Sequence, residues 1–235
     1  MTIIGVVPAA GLATRLQPLP CSKEVVPVGG KPVIDYLVER MRLAGCTEVR
    51  IVTRPEKRDV VRRGRELGAR VVEAYPENVS QSIAQGVPAG SPDVRVLFGF
   101  PDTIWEPADG FSRLLERMDE GYDVVLGLFR TSDVRRSDVV TLNGGGRIVS
   151  IAVKPRKPRT DLIWGCGAAQ ARALCGLDGA SEPGHYFDDL ARRQAVSGVE
   201  LSDQWMDIGT KEALMRATHS APTATSVLRT EERGR

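Results

Sequence analysis

An apolar run, residues 3–8, empties into the small residues Ala9-Ala10-Gly11-Leu12-Ala13-Thr14, and Arg15 follows at once. This stretch constrains the fold more than any other. A run of that length reads as one buried strand. The short side chains of the loop let backbone N–H groups approach a ligand, and such a turn can form an anion-binding concavity. Arg15 offers a forked, permanently charged donor set, and Lys23 adds a point charge further on. Pro18 and Pro20 between them remove backbone freedom and donors. Loop, arginine and lysine together suit a polyphosphate. Taken singly, they describe a strand and a surface loop with two solvated cations. Gly11 matches neither the dinucleotide-binding G-x-G-x-x-G nor the P-loop lysine pattern.

The rest of the chain alternates. Residues 32–44 carry Val33, Ile34, Leu37, Val38, Met41 and Leu43 on one helical face, with Gly45 to end it. Residues 48–53 read as a strand, 56–67 as an arginine-dense helix with a solvated outer face, and 69–74 as a third strand. This rhythm predicts an α/β fold: a Rossmann-like mixed, mostly parallel sheet flanked by helices. Ligands of such sheets bind beyond the carboxyl ends of the strands. Two features fall there. Gln81 opens a helix expected over residues 80–86, and its amide can read a pyrimidine edge or simply face water. Asp102 ends the strongly apolar strand 94–100, where a carboxylate can hold Mg²⁺ or merely cap a turn. Helices are expected over 111–120 and 185–196, with Asp188 and Asp189 suiting the dipole of the second, and a further strand over 123–130. Residues 138–142 and 147–153 alternate around Asn143-Gly144-Gly145-Gly146, a small β-hairpin insertion. Residues 161–169 read as a short strand of small residues. There Gly165 and Gly167 either admit a ring to the backbone or satisfy tight packing.

The string GLATRLQPLPCSKEVVPVGGKPVIDY, residues 11–36, resembles the signature of sugar-1-phosphate nucleotidyltransferases: G-x-G-T-R-L-x-P-L-T, a lysine, then P-V-x-x-K-P-x-I-x-Y. Ala13 stands where the second glycine is usual, and Pro20 where threonine is common. The resemblance covers about residues 2–217. It implies the nucleotide-diphospho-sugar transferase type of fold, and the reaction NTP + sugar-1-phosphate → NDP-sugar + pyrophosphate. It implies that Ala9, Ala10, Gly11, Leu12, Ala13 and Thr14 cradle the nucleotide, that Arg15 holds the departing pyrophosphate, and that Lys23 contacts the α-phosphoryl group. Gln81 falls on the base-reading glutamine of thymidylyl- and uridylyltransferases, which favours dTTP or UTP. Asp102 falls on one Mg²⁺ ligand, and Asp207, in WMDIGT, on the second. Lys154-Pro155 resembles the family's V-E-K-P, so Lys154 binds the sugar phosphate. The preceding glutamate, which binds a sugar hydroxyl, is Val153 here. The strand bearing Gly165 and Gly167 resembles the family's sugar-side strand without its usual G-I-Y. Lys31 is left between a phosphate role and a solvated helix start.

Bulk properties bound the alternatives. A chain of 235 residues can bury one substantial core, so one domain is expected over 1–218, with a short final helix over 211–218 and a mobile tail over 219–235. A net charge of +2 argues against a nucleic-acid surface. No apolar run approaches ~18 residues, so no membrane span is expected. The N-terminus lacks a basic n-region, and the four cysteines lack C-x-x-C spacing; both suit a reduced, cytoplasmic protein. The two histidines exclude a histidine-rich metal site. Family members are often dimers or tetramers, so a homo-oligomer is left open. Two rival readings stand beside the main one: a cytidylyl- or guanylyltransferase acting on another phosphorylated acceptor, and a non-catalytic module that binds nucleotide sugars.

Overall fold

The computed structural model describes residues 1–14, 16–132, 134–193, 196–202, 204–210 and 213–216. Arg15, half of the expected last helix and the C-terminal tail lie outside the described residues.

In chain order the elements are β1 (Ile3–Pro8), β2 (Pro27–Val28), β3 (Lys31–Pro32), α1 (Val33–Leu43), β4 (Glu48–Thr53), α2 (Arg58–Glu66), β5 (Arg70–Glu73) and α3 (Val79–Gly86). Then come β6 (Arg95–Gly99), β7 (Thr103–Trp105), α4 (Gly110–Asp119), β8 (Val124–Arg130), β9 (Val139–Leu142), β10 (Ile148–Ala152), β11 (Leu162–Gln170), α5 (Pro183–Arg192), β12 (Val196–Ser202) and β13 (Trp205–Asp207). One nine-stranded sheet holds the molecule together. Its path runs β10-β9-β11-β6-β1-β4-β5, with β8 on the other side of β11 and β12 beyond it. Strands β6, β1, β4 and β5 pair parallel, and β12 pairs parallel with β8. Strand β11 runs against β6, β8 and β9.

Strands β1, β6 and β8 are buried along nearly their whole length because helices cover both faces, which is why they read as unbroken apolar runs. One cluster packs Ile34, Leu37 and Met41 of α1 with Phe111 and Leu114 of α4 onto Leu97 and Phe129. On the opposite face Ile83 of α3 and Phe187 of α5 pack onto Val6, Phe98 and Trp164.

Strand β11 forms within one residue of its expected bounds, and its small residues let it run between β6 and β8 inside the sheet. The β9–β10 hairpin forms as expected, but as the edge of the main sheet, its turn held by Asn143 Oδ1, which accepts the N–H of Gly145 and Arg147 at 3.0 Å each. Strand β12 and the β7–β13 ribbon carry no signal strong enough to stand out in the sequence.

Candidate active site

The carboxyl ends of β1 and β6 open into one cavity of about 540 Å³, a size that suits a ligand. Its wall includes Ala10, Gly11, Leu12, Thr14, Lys23, Asp102, Lys154 and Asp207. Most of the polar residues expected at the site from distant parts of the chain therefore meet in one place.

The loop after β1 is tied down through its carbonyls. Lys57 Nζ donates to Ala9 O at 2.7 Å, Gly11 O at 3.0 Å and Glu24 Oε2 at 2.6 Å. Arg54 Nε donates to Ala10 O at 3.1 Å, and Thr53 Oγ1 to Ala9 O at 3.3 Å. The N–H groups of residues 10–14 have no hydrogen-bond partner among the described residues. Carbonyls bound behind and donors left in front make a concavity for anions. Ala13 adopts φ +52°, the left-handed region that favours glycine, so the departure from the family's second glycine is a strained one. Lys154 also has a positive φ, +43°.

Glu24 is fully buried, and its Oε1 has no partner among the described residues. Burial pushes its carboxyl above the usual range, with the charges of Lys57 and Lys23 working against the rise. Lys57 was expected on a solvated helix. It turns inward instead, because the buried carboxylate and two converging carbonyls outweigh hydration; burial pulls its ammonium down, against the pull of Glu24.

Lys23 Nζ pairs with Asp102 Oδ2 at 2.5 Å. Burial lowers the Lys23 pKa, but the charge and hydrogen bond of Asp102, helped by Glu24 and Asp207, outweigh it, and the net shift is upward. Lys23 therefore enters any reaction as a cation. Asp207 lies opposite Thr103 across the β7–β13 ribbon, and Ile208 N–H donates to Asp102 O at 3.0 Å. That ribbon brings two carboxylates from distant sequence positions to one wall. Asp207 Oδ1 accepts Gly209 N–H at 2.6 Å. Among the described residues no group of three or more His, Cys, Asp or Glu side chains is arranged to hold a metal. Two carboxylates nonetheless suit Mg²⁺, which is often bound by one or two carboxylates plus phosphate oxygens and water.

At the far end stand Arg136, Ser137, Asp138, Lys154, Trp164 and Glu182. Lys154 pairs with Glu182 at the N-terminus of α5. Asp138 Oδ2 accepts the Trp164 indole N–H at 3.1 Å. Burial raises the Asp138 pKa, while the Trp164 hydrogen bond and Lys154 oppose the rise.

Several expected residues stand elsewhere. Gln81 is outside the cavity wall, and its Oε1 accepts Glu77 N–H at 2.9 Å while Asn78 Oδ1 accepts Gln81 N–H at 2.9 Å. This is a reciprocal cap at the start of α3. Ser82, one residue on, does line the cavity, and its buried hydroxyl has no partner among the described residues. Gly165 and Gly167 are also outside the wall. A methyl group at residue 165 would lie 2.2 Å from the Trp205 ring, and one at 167 would lie 2.3 Å from Phe98, so both glycines serve packing. Lys31 pairs with Glu39 and lies over the Tyr36 ring, away from the cavity. Ala9 is buried behind the loop it begins.

A strand-end loop with free N–H donors, a lysine–aspartate pair and a second carboxylate thus face one cavity. The chain belongs to the family of the MobA-like NTP transferase domain, whose model matches residues 5–197. It is 27% identical to a glucose-1-phosphate thymidylyltransferase of Neisseria meningitidis, over 95% of this chain and 84% of that protein. It is 29% identical to one from Xanthomonas campestris, over 93% and 80%. A Bacillus anthracis protein crystallised with sucrose shares the fold at a TM-score of 0.82, with 22% identity, covering 100% of this chain and 98% of its own. UDP-glucose pyrophosphorylase bound to UDP-glucose shares it at 0.80, with 17% identity, covering 94% and 98%. No described helix is long and apolar enough to cross a membrane, and the four cysteines are free thiols.

Proposed function

We propose that this chain joins an NTP, dTTP or UTP by preference, to a sugar-1-phosphate, forming an NDP-sugar and pyrophosphate with Mg²⁺. The observation that carries this reading is the convergence of the donor-rich loop, Lys23, Asp102, Asp207 and Lys154 on one cavity. An acceptor phosphate oxygen attacks the α-phosphorus. The bond from that phosphorus to the α,β-bridging oxygen breaks, and the electron pair leaves with pyrophosphate. The nucleophile is already anionic, so no general base is required, and the task is positioning and charge stabilisation. The N–H groups of residues 10–14 bind phosphate oxygens, with Arg15 on the leaving pyrophosphate. Lys23 gives up Asp102 for the α-phosphoryl group, and Lys154 gives up Glu182 for the acceptor phosphate. Asp102 and Asp207 would hold Mg²⁺, which supplies charge neutralisation of the triphosphate. The base preference rests on Gln81, beside the cavity wall: its Oε1 would exchange Glu77 N–H for the N3–H of thymine or uracil. The homologues named glucose-1-phosphate thymidylyltransferase support the same choice.

The test is pyrophosphate release across five NTPs and a panel of sugar-1-phosphates and non-sugar phosphates. Release that needs both partners, strongest with dTTP or UTP, is expected. Release with CTP and a non-sugar phosphate would replace the substrate assignment and keep the chemistry. Nucleotide-sugar binding without release would make the chain a binding module.

A further inference from the structure

Residue 153 offers no hydrogen bond, yet a carboxylate stands beside it. An ideal Cβ built on Gly184 would lie 2.3 Å from Asp138 Oδ2 and 2.9 Å from Val153 Cγ2, so the two side chains converge on one point at the start of α5. Gly184 is what lets the helix come this close. Asp138 is only 9% exposed and lines the cavity together with Lys154. Its Oδ2 is held by the Trp164 indole, and its Oδ1 accepts no hydrogen bond among the described residues. Trp164 cannot easily swing away, since it is packed edge-on against Phe187 and tilted against Phe100, with ring centroids 5.5 and 5.3 Å apart. The result is a nearly buried carboxylate, one oxygen held by a tightly packed donor and the other without a partner among the described residues, in the wall that also holds Lys154.

From this we infer that Asp138 is an acceptor-recognition residue: its carboxylate has taken over, from residue 153, the contact to a hydrogen-bond donor on the phosphorylated acceptor. The inference rests on the transferase reading above for the direction in which the acceptor lies. A buried carboxylate with an open oxygen selects a donor and rejects an analogue that lacks one, because desolvation then goes uncompensated. The acceptor is therefore a phosphorylated polyol, with Lys154 on its phosphate and a hydroxyl on Asp138. An ammonium group would satisfy the same oxygen, and the test separates the two.

Asp138→Asn keeps an acceptor for the Trp164 N–H, so the fold is expected to hold, and thermal denaturation checks this. Binding of glucose-1-phosphate, its four mono-deoxy analogues and glucosamine-1-phosphate to wild type and D138N is measured by calorimetry. Initial rates are measured alongside with dTTP and UTP. Wild type is expected to bind one deoxy analogue on the order of 10- to 100-fold more weakly than the parent. D138N should weaken the parent by a similar factor, lose that discrimination, and leave the KM for NTP within about twofold. A glucosamine-1-phosphate affinity well above that of glucose-1-phosphate, abolished in D138N, would assign the ammonium instead of a hydroxyl. A D138N protein that is folded and unchanged toward every acceptor overturns the inference, as does a loss equal for all analogues, which marks a structural role. Rates present with D138N unaffected would refute this contact and leave the transferase standing. Rates absent, with D138N still weakening acceptor binding, would do the reverse. No binding of any of these phosphates to wild type would refute both.

Discussion

Replacing Lys57 by methionine should be among the most damaging single changes near the cavity, although Lys57 need touch no substrate. The change keeps much of the side-chain volume and removes the ammonium. Glu24 is then fully buried with neither oxygen paired to a cation within reach of a hydrogen bond, and Ala9 O and Gly11 O lose their donor. Removing one partner of a buried pair costs ~3–5 kcal/mol, chiefly the stranded charge. For a chain of this size ~1 kcal/mol shifts Tm by about 2–4 °C, so a fall of roughly 10 °C is expected. The pH dependence has a definite sign. The folded pKa of Glu24 is already raised above its unfolded value, so the folded state holds more protons than the unfolded state between those values. Stability from this group is therefore gained as pH falls and lost as it rises. Without Lys57 the raise is larger, and the deficit should shrink from pH 8 to pH 5.5. Urea denaturation at both pH values measures this. Lys57→Met/Glu24→Leu should recover much of the loss, because the pair is replaced by apolar groups. A single variant within about 1 kcal/mol of wild type at pH 8 would refute the reasoning.

Other outcomes follow from particular contacts. Ala13→Gly relieves a left-handed backbone; against a strain of ~1–2 kcal/mol, the extra freedom of the unfolded chain returns ~0.4–1, leaving a gain of about 1 kcal/mol by urea denaturation. Lys23→Ala is expected to raise the barrier by ~2–4 kcal/mol, the scale of losing one charge-stabilising donor, read as a fall in kcat/KM with the fold intact. Gly165→Ala should destabilise by ~1–3 kcal/mol through the Trp205 clash, while a preserved ratio of KM values for the two substrates would separate packing from acceptor binding.

Much of the frame could be read from residue patterns. Strands β1 and β4 appear with their sequence-derived bounds: β1 is a continuous apolar run, as a parallel strand covered on both faces should be, and β4 is short and rich in Val and Ile. Strand β12, VSGVELS, does not stand out: Ser197-Gly198 interrupts it, and only Val199 to Ser202 alternate, too short a stretch to mark a strand. Strand β11 is legible as a strand, but its place is not: the small side chains of WGCGAA leave ligand approach and tight packing equally open until Phe98 and Trp205 are seen against Gly167 and Gly165. The site divides the same way. Lys23, Asp102, Lys154 and Asp207 stand in local strings distinctive enough to pick out. Lys57 and Asp138 do not: a lysine at a helix start and an aspartate before a strand look solvated until tertiary structure supplies Glu24 and Trp164. Gln81 illustrates a different case: Asn78-x-x-Gln81 is a capping pattern legible in the sequence, and in this structure its amide caps α3, a contact it would exchange on reading a base.

The central claim is that an acceptor phosphate oxygen attacks the α-phosphorus in this cavity. It is tested most directly by supplying glucose-1-phosphate with ¹⁸O in its non-bridging phosphate positions, together with dTTP or UTP and Mg²⁺, and weighing the products. All label should appear in the nucleotide sugar, one atom of it bridging the two phosphorus atoms, and the pyrophosphate should be unlabelled. Label in inorganic phosphate or pyrophosphate, or an unchanged acceptor beside hydrolysed nucleotide, would contradict the account.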